Sequence, residues 1–393
     1  MITIPKDKLT SIKPLLLLVL LILGLVLASC RTGLGALPRG WSGSVTDNGT
    51  LFIGSMDGRL VAVNTEDGKR IWSTPLEAEK SGGGGLFGCT QTGATTVAIY
   101  GTPSVEGDLV YIGGYNGKIY AFSRTEFRDE PRWVYPRQSE IPASIVGGTL
   151  ADKGKLYFGS ADGKVYALNA ADGYKEWEFE TGDKIWSTPA VDGDTLYISS
   201  FDNLLYALDT SDGRKKWEFA TEGAIVATPI IDGNIVYIGS FDRYLYALNT
   251  ADGSVRWKFM AENWFWSQPV VHDGVIYASN LDGKVYVLDA SNGEKKMEFD
   301  LKTPITSSVM LGDKLVVATT ETSVKRSVVY TLGIASNQQE ALISFEEKIQ
   351  APIAAGQGKV YIHTDSGALY EIDVESGAKR EFDIITEEQL AGS

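Results

Sequence analysis

The chain has 393 residues, of which 44% are hydrophobic and 22% are charged, a balance typical of a globular protein rather than of a disordered chain or one embedded wholly in a membrane. Its formal net charge is −14, which argues against binding to nucleic acid and against adsorption to anionic lipid head groups. The composition therefore excludes several classes of function and leaves the specific signals to individual segments.

The N-terminal segment has the features of an export signal. Lys6, Lys8 and Lys13 precede an apolar run at 15–28. The run is shorter than the roughly 20 residues of a membrane-spanning helix, but it suits the apolar core of a secretory signal peptide. We therefore predict that the protein is exported.

The end of this signal, Leu27-Ala28-Ser29-Cys30, resembles the bacterial lipobox. The resemblance implies a signal peptide at 1–29, an acylated Cys30 at the start of the mature chain and a tether at 30–38, with the protein anchored on the extracytoplasmic side of the cell membrane or outer membrane. An ordinary signal peptide or a short signal anchor also fits the segment. Once Cys30 is acylated, Cys89 has no partner, so we expect no internal disulfide and a Cys89 that is buried or a free thiol.

Beyond the tether the sequence repeats itself at a fixed interval, and this indicates the architecture more strongly than any single motif. The segment at 195–217 recurs at 155–177, 235–257 and 275–297. Four columns keep a spacing of 40 residues: Tyr157, Tyr197, Tyr237 and Tyr277; Asp162, Asp202, Asp242 and Asp282; Gly173, Gly213, Gly253 and Gly293; and Trp177, Trp217, Trp257 and Met297.

Each unit reads as four short strands. In the fourth unit a first strand ends at the turn 191–194, the strand TLYIS follows, and a turn with Asp202 leads to LLYALD and then to the strand with Trp217. We predict an all-β fold, a monomeric eight-bladed β-propeller of four-stranded antiparallel blades that spans 39–393. Its units are 39–77, 98–138, 140–181, 183–221, 223–261, 263–301, 303–348 and 349–385.

One motif within the units carries a resemblance to a known family. In four units an Ala is followed by Asn or Asp two residues later, by Gly after six and by Trp after ten, as in Ala167-x-Asn169…Gly173…Trp177. This pattern resembles the tryptophan-docking repeat of the pyrroloquinoline quinone (PQQ) propeller family. An indole buries a large apolar area and can bond a neighbouring unit, so we interpret these residues as pins between blades. The predicted blade-docking residues are Trp72, Trp133, Trp177, Trp217 and Trp257, with Met297 in unit six and Phe345 and Phe382 near the corresponding places of units seven and eight.

The repetition fails in two places, where we expect function to be concentrated. The link between units one and two is longer than the others and contains four consecutive glycines within 81–96. It is either a flexible loop that a partner orders or a bland insertion. Unit seven is irregular, and we expect its hairpin turn to be extended by Lys325 and Arg326.

A column of aromatic residues precedes the first strand of several units. Position 186 corresponds to Trp41, Tyr100, Val226, Trp266, Ile305 and about Gln350 in other units. These positions should ring the central funnel on the face of the 81–96 link, where aromatic clusters favour contact with a partner or ligand. An alternative is that they only fill the taper of the ring. The predicted partner-binding residues are Trp41, Tyr100, Trp186, Phe201, Phe241, Trp264 and Trp266, with Tyr115 extending the rim.

The sequence offers no support for catalysis. The PQQ family includes quinoprotein dehydrogenases, which the resemblance describes as having a Ca²⁺ site beside the quinone, an Asp base and often a vicinal Cys pair. This chain has no Cys-Cys pair, its Asp residues stand at turns, and no carboxylates have the spacing of a calcium loop. His272 and His363 suggest no metal site. We predict no catalytic residue, no metal and no cofactor, with a PQQ enzyme carrying calcium as the alternative.

The overall organisation is similar to that of the BamB-type lipoprotein family of the outer-membrane β-barrel assembly machinery. The similarity lies in the lipobox, the chain length and the eight PQQ-like units without catalytic groups. It implies a lipid-anchored scaffold that contacts an envelope protein, such as a component of barrel assembly. The alternatives are a PQQ-binding quinoprotein and an extracytoplasmic propeller that senses a ligand, because one fold serves many functions.

Overall fold

The computed structural model describes residues 40–77 and 97–384, apart from 127, 129, 138–140, 142, 322 and 335. All of these residues belong to one compact unit. The predicted signal peptide, Cys30, the tether and the 81–96 link with Cys89 lie outside the described residues. Within the described part every regular element is a β-strand, and no helix there is long and apolar enough to cross a membrane.

Thirty-two strands form eight four-stranded sheets, which we number as blades in chain order. The strands of blades one to four are β1 (Ser44–Asp47), β2 (Thr50–Gly54), β3 (Arg59–Asn64), β4 (Arg70–Pro75), β5 (Ser104–Glu106), β6 (Leu109–Gly113), β7 (Ile119–Ser123), β8 (Trp133–Tyr135), β9 (Leu150–Asp152), β10 (Lys155–Gly159), β11 (Lys164–Asn169), β12 (Lys175–Glu180), β13 (Ala190–Asp192), β14 (Thr195–Ser199), β15 (Leu204–Asp209) and β16 (Lys215–Ala220). Those of blades five to eight are β17 (Ile230–Asp232), β18 (Ile235–Gly239), β19 (Tyr244–Asn249), β20 (Val255–Met260), β21 (Val270–His272), β22 (Val275–Ser279), β23 (Lys284–Asp289), β24 (Lys295–Asp300), β25 (Ile305–Leu311), β26 (Lys314–Glu321), β27 (Arg326–Gly333), β28 (Gln338–Phe345), β29 (Ala354–Gly356), β30 (Lys359–His363), β31 (Leu369–Asp373) and β32 (Lys379–Phe382).

The blades form a closed ring. Within each sheet the strands pair antiparallel in sequence order, so every blade is a meander. The first strand of each blade is innermost, and β1 of blade one contacts both β5 of blade two and β29 of blade eight. The prediction of an all-β, eight-bladed propeller is confirmed.

The Asp column shapes the hairpin turns between second and third strands. In blade four, Asp202 accepts a hydrogen bond from the Leu204 backbone N–H at 3.0 Å and another from the Tyr206 hydroxyl at 2.7 Å. The same hydroxyl bond recurs at 2.6–2.7 Å in blades three, five and six. Burial and this carboxylate raise the pKa of Tyr206, which keeps the phenol a donor. These aspartates therefore have a structural role in the turns, as the sequence indicated.

In blades two to five the repeated tryptophan connects its blade to the next one. The indole N–H of Trp177 donates to the Thr210 carbonyl of the following blade at 3.1 Å, and that of Trp257 donates to the Ala290 carbonyl at 3.0 Å. Trp133 and Trp217 make the same bond at 3.1 and 2.9 Å. Each indole covers a large apolar area while its one polar atom stays paired.

A glycine of the next blade makes this close approach possible. A Cβ built on Gly293, which has a φ of +74°, would lie 2.5 Å from the ring of Trp257. Gly173, Gly213 and Gly253 stand in the same relation to the tryptophan of the preceding blade. The glycine column and the tryptophan column are therefore two sides of one contact.

Blade eight closes the ring onto blade one with different chemistry. Phe382 takes the place of the indole against Gly68, whose added Cβ would lie 3.1 Å from the phenyl ring. The Arg380 guanidinium supplies the missing donor: it bonds the Thr65 carbonyl at 2.7 Å and the buried Glu371 carboxylate at 2.8 Å. An Arg–Phe pair thus replaces the tryptophan at the closure.

His363 also belongs to the closure. It ends β30, and its Nδ1–H donates to the Ser42 carbonyl of blade one at 3.1 Å, while Nε2 is buried without a partner in the described residues. Burial lowers the pKa of His363, an effect that the bond to Ser42 only partly offsets. The ring is therefore held neutral in the folded state.

This neutral histidine should make stability depend on pH. The folded pKa lies below the unfolded one, so stability is complete above about pH 6.5 and falls as the unfolded chain gains the proton. Between pH 7.5 and 5.5 the free energy of unfolding should fall by up to about 1 kcal/mol more in the parent than in His363→Gln. Chemical denaturation at both values measures this difference. Equal falls in the parent and in His363→Gln would contradict this account.

Blade seven departs from the others in its strands rather than in its turn. The expectation that Lys325 and Arg326 extend the hairpin turn was wrong for Arg326, which begins β27. Strands β26, β27 and β28 each have eight residues, and the antiparallel pairing of β26 with β27 continues as far as Glu321 and Arg326.

Candidate functional site

The segment that enters each inner strand points alternate side chains toward the propeller axis. In blade four Ile185 and Ser187 are buried, whereas Trp186 and Thr188 face the axis and are partly exposed. The Ile185 N–H donates to the Ser160 carbonyl of blade three at 3.1 Å, which fixes the alternation. In the same way the Ile225 N–H donates to the Ser200 carbonyl at 3.2 Å, and the Phe265 N–H donates to the Ser240 carbonyl at 3.3 Å. The hairpin of one blade therefore aims the side chains of the next.

These axial side chains enclose a cavity of about 210 Å³. Four of the seven predicted aromatic residues line it, and the other axial positions are filled by aliphatic, hydroxyl and amide side chains. Among the described residues that line the cavity, none carries a charge. The aromatic lining consists of Trp41, Tyr100, Trp186 and Trp266.

In blade seven the axial position is Thr306, not the predicted Ile305. Ile305 is fully buried and packs in the core, whereas Thr306 lines the cavity. The register shifts between Ile305 and Ser307, since the first strand of this blade begins earlier and carries a bulge there. Simple counting back from the tyrosine column misses such a shift.

A stack of three aromatic rings stands at the cavity mouth. Phe241 lies between Trp264 and Trp266, with centroid distances of 4.8 and 5.9 Å and interplanar angles of 15° and 17°. Trp264 is 48% exposed and Trp266 is 42% exposed, although both are large apolar side chains. Trp266 also lines the cavity, so the stack connects the mouth to the interior.

Two further aromatic clusters complete the rim. Tyr100 packs edge-on against Trp41 at 4.8 Å and against Tyr115 at 5.3 Å. Trp186 packs edge-on against Phe201 at 4.8 Å. Partial burial, reinforced by the Tyr115 phenol, raises the pKa of Tyr100 and keeps its hydroxyl neutral. All seven predicted residues therefore join one of three clusters on the same face.

The sequence did not single out two features of this site. The Lys184 ammonium lies 4.4 Å from the ring centroid of Phe201 and 5.2 Å from that of Trp186, which places a cation on the rim. The second position after the axial column supplies neutral polar groups, as in Thr188, Thr228 and Gln268. The signal for these groups was present in the Thr-Pro and Gln-Pro pairs that follow the column.

The cavity does not suit PQQ with calcium. Calcium needs several oxygen ligands, usually with carboxylates among them, and the carboxylates of the quinone need cations or many donors. Neither carboxylates nor cations occur among the described lining residues. Nor does the described part of the chain contain a group of three or more His, Cys, Asp or Glu side chains that could hold a metal ion.

Comparison with known proteins extends these observations. The sequence profile of a family described as outer membrane protein assembly factor BamB matches residues 39–146, 136–228 and 220–381, which together span the propeller. The chain belongs to this family. Members in Nitrosomonas eutropha and Escherichia coli are 27% and 24% identical over 137 and 163 residues. These alignments cover 35% and 42% of this chain but only 27% of each BamB relative.

Solved structures agree on the fold of this BamB family member. BamB from Moraxella catarrhalis superposes with a TM-score of 0.67 at 20% identity, over 84% of this chain and 95% of that one. The computationally designed Ika8 protein superposes with a TM-score of 0.68 at 12% identity, over 85% and 96% of the two chains. At such identities the likeness describes the fold alone.

Proposed function

We propose that the protein is a non-enzymatic, lipid-anchored scaffold on the extracytoplasmic side of a bacterial membrane, where it docks an envelope protein during outer-membrane protein assembly. The docking surface is the aromatic rim, which we define as Trp264, Trp266, Phe241 and the Tyr115 and Phe201 clusters beside them. Membership in the BamB family supports the assembly role, because the relatives carry that description.

The observation that carries the proposal is the exposure of Trp264 and Trp266. Two neighbouring indoles that are 48% and 42% exposed are unusual on a protein surface unless a binding partner covers them. Phe241 holds both rings parallel, so little side-chain entropy remains to be lost on binding. Tryptophan is also among the residues that contribute most to protein interfaces.

Removing the rim indoles should abolish docking. We expect the double variant Trp264→Ala/Trp266→Ala to lose co-purification of the envelope partner, with a loss of affinity of at least tenfold, because each hot-spot residue contributes about 2 kcal/mol. Pull-down of the tagged, membrane-extracted protein measures this. The matched control is Tyr174→Ala, which removes an aromatic side chain that is 61% exposed on the turn between β11 and β12. Equal recovery of the partner by the double variant and the parent would refute docking at the rim.

The anchor is proposed on sequence alone, since Cys30 lies outside the described residues. Acyl chains on this cysteine would hold the propeller at the membrane through burial of their CH₂ groups, each worth about 0.8 kcal/mol. Cys30→Ala should therefore release the exported protein into the soluble fraction, as measured by membrane fractionation. Retention of the variant on the membrane would contradict the lipid anchor.

A further inference from the structure

We propose that the axial cavity is a binding site for a neutral saccharide, which inserts one sugar ring between the aromatic side chains. This proposal differs from the docking of a protein on the rim, because it concerns a different class of ligand bound in the interior of the cavity, although the four aromatic lining residues also belong to the rim clusters. Three features of the described lining residues support it: they are uncharged, four of them are aromatic, and several carry neutral polar groups.

The lining selects an uncharged ligand. The whole chain carries a net charge of −14, yet no described residue that lines the cavity is charged. A charged ligand would lose its hydration on entry without gaining a counter-charge, which is costly. A neutral ligand avoids that cost.

The aromatic rings supply flat apolar surfaces to the same ligand. Trp41, Tyr100, Trp186 and Trp266 come from four different blades and surround the axis. Trp266 is held parallel to Phe241, and Trp186 is held edge-on by Phe201, so their planes are set before a ligand arrives. A pyranose ring carries C–H groups on its faces, and these pack on indole surfaces as other apolar groups do.

The remaining lining residues favour a sugar over a purely apolar ligand. Thr102, Thr228, Gln268 and Gln350 add hydroxyl and amide groups that both donate and accept hydrogen bonds. An apolar ligand would leave these groups unpaired, whereas sugar hydroxyls match them. The volume of about 210 Å³ lies below the roughly 300–1,000 Å³ of sites for drug-sized molecules. One ring fits inside, and the rest of a chain would leave through the mouth.

The test uses trisaccharides that differ in charge, and two of them, triacetylchitotriose and deacetylated chitotriose, share the same backbone. The purified propeller is titrated with triacetylchitotriose and maltotriose, which are neutral, and with deacetylated chitotriose and trigalacturonate, which are cationic and anionic. Tryptophan fluorescence and saturation-transfer NMR report binding. We expect at least one neutral sugar to bind with a Kd of about 1 mM or tighter and the charged sugars to bind at least tenfold more weakly.

Variants locate the site within the cavity. Trp186→Ala should weaken the neutral sugar about fivefold or more, as one aromatic contact predicts, while Trp186→Phe should keep most of the affinity. The matched control is Tyr174→Ala, which removes an exposed aromatic side chain on the turn between β11 and β12, away from the cavity lining, and should leave sugar binding intact. Thermal melts of each variant report whether it is folded.

Four results would overturn the proposal: no neutral sugar bound at about 10 mM, equal binding of charged and neutral sugars, affinity unchanged in folded Trp186→Ala, or occupation of the cavity by the uncharged aromatic probe N-acetyltryptophanamide while the sugars fail. The last result would indicate a peptide side chain as the occupant. Co-purification of the envelope partner is measured independently of sugar binding, so the two proposals can fail separately.

Discussion

Trp257→Ala should lower the free energy of unfolding by about 3–5 kcal/mol, the usual cost of truncating a buried tryptophan. Trp257 is only 8% exposed, packs against Gly293 of the next blade and donates its N–H to the Ala290 carbonyl at 3.0 Å. The substitution removes the buried ring and one of the two hydrogen bonds to that carbonyl, which also accepts from the Tyr237 hydroxyl at 3.1 Å. Trp257→Phe keeps most of the packing and should cost about 1–2 kcal/mol. Chemical denaturation with calorimetric melting measures both values.

The same chemical change at an exposed indole provides the control. Trp264→Ala should cost less than about 0.5 kcal/mol, because Trp264 is 48% exposed and packs only on the rim. Gly293→Ala approaches the contact from the other side and should destabilise, since its Cβ would lie 2.5 Å from the Trp257 ring. If Trp257→Ala and Trp264→Ala cost the same, the inter-blade role of Trp257 is wrong.

Phe382→Ala should open the ring at its closure and cost about 3 kcal/mol. Phe382 is 2% exposed and fills the space beside Gly68 of blade one. The closure joins the two ends of the described chain. Its loss should therefore increase local opening of blades one and eight before it increases global unfolding. Hydrogen exchange should therefore accelerate in β1–β4 and β29–β32 more than in the middle blades.

Arg380 gives an independent check on the closure. Arg380→Ala removes the donor to the Thr65 carbonyl and one of the two cations beside buried Glu371, so it should destabilise by about 1–3 kcal/mol. Arg214→Ala is the matched control, since Arg214 pairs with Asp212 on an exposed turn and should cost close to nothing. Uniform acceleration of exchange in all blades of Phe382→Ala would contradict a local closure.

The fold could be predicted because its information is repeated. The same blade pattern recurs several times at a spacing of 40 residues, so a strand that is ambiguous in one unit can be assigned from the other units. The prediction weakened where the repeat changes, as at Thr306, where a bulge shifts the register, and in blade seven, where strands lengthen. The repeat indicated Phe382 near the tryptophan position of unit eight, but it did not reveal that Arg380 supplies the hydrogen-bond donor at the closure.

The candidate site was only partly readable. The column of Trp41, Trp186 and Trp266 indicated residues near the axis, because position in a repeat gives position in the ring. The uncharged lining and the stack around Phe241 depend on which side chains of different blades meet in space. The role of these residues in binding stays a prediction.

Photo-crosslinking from blade six tests docking at the rim most directly. A photoreactive residue is placed at position 264, on the rim, or at position 273, in the turn between β21 and β22 on the opposite face of the same blade. We predict capture of an envelope protein in intact cells from position 264 and none from position 273. Capture from position 273 alone would contradict the aromatic rim as the docking surface.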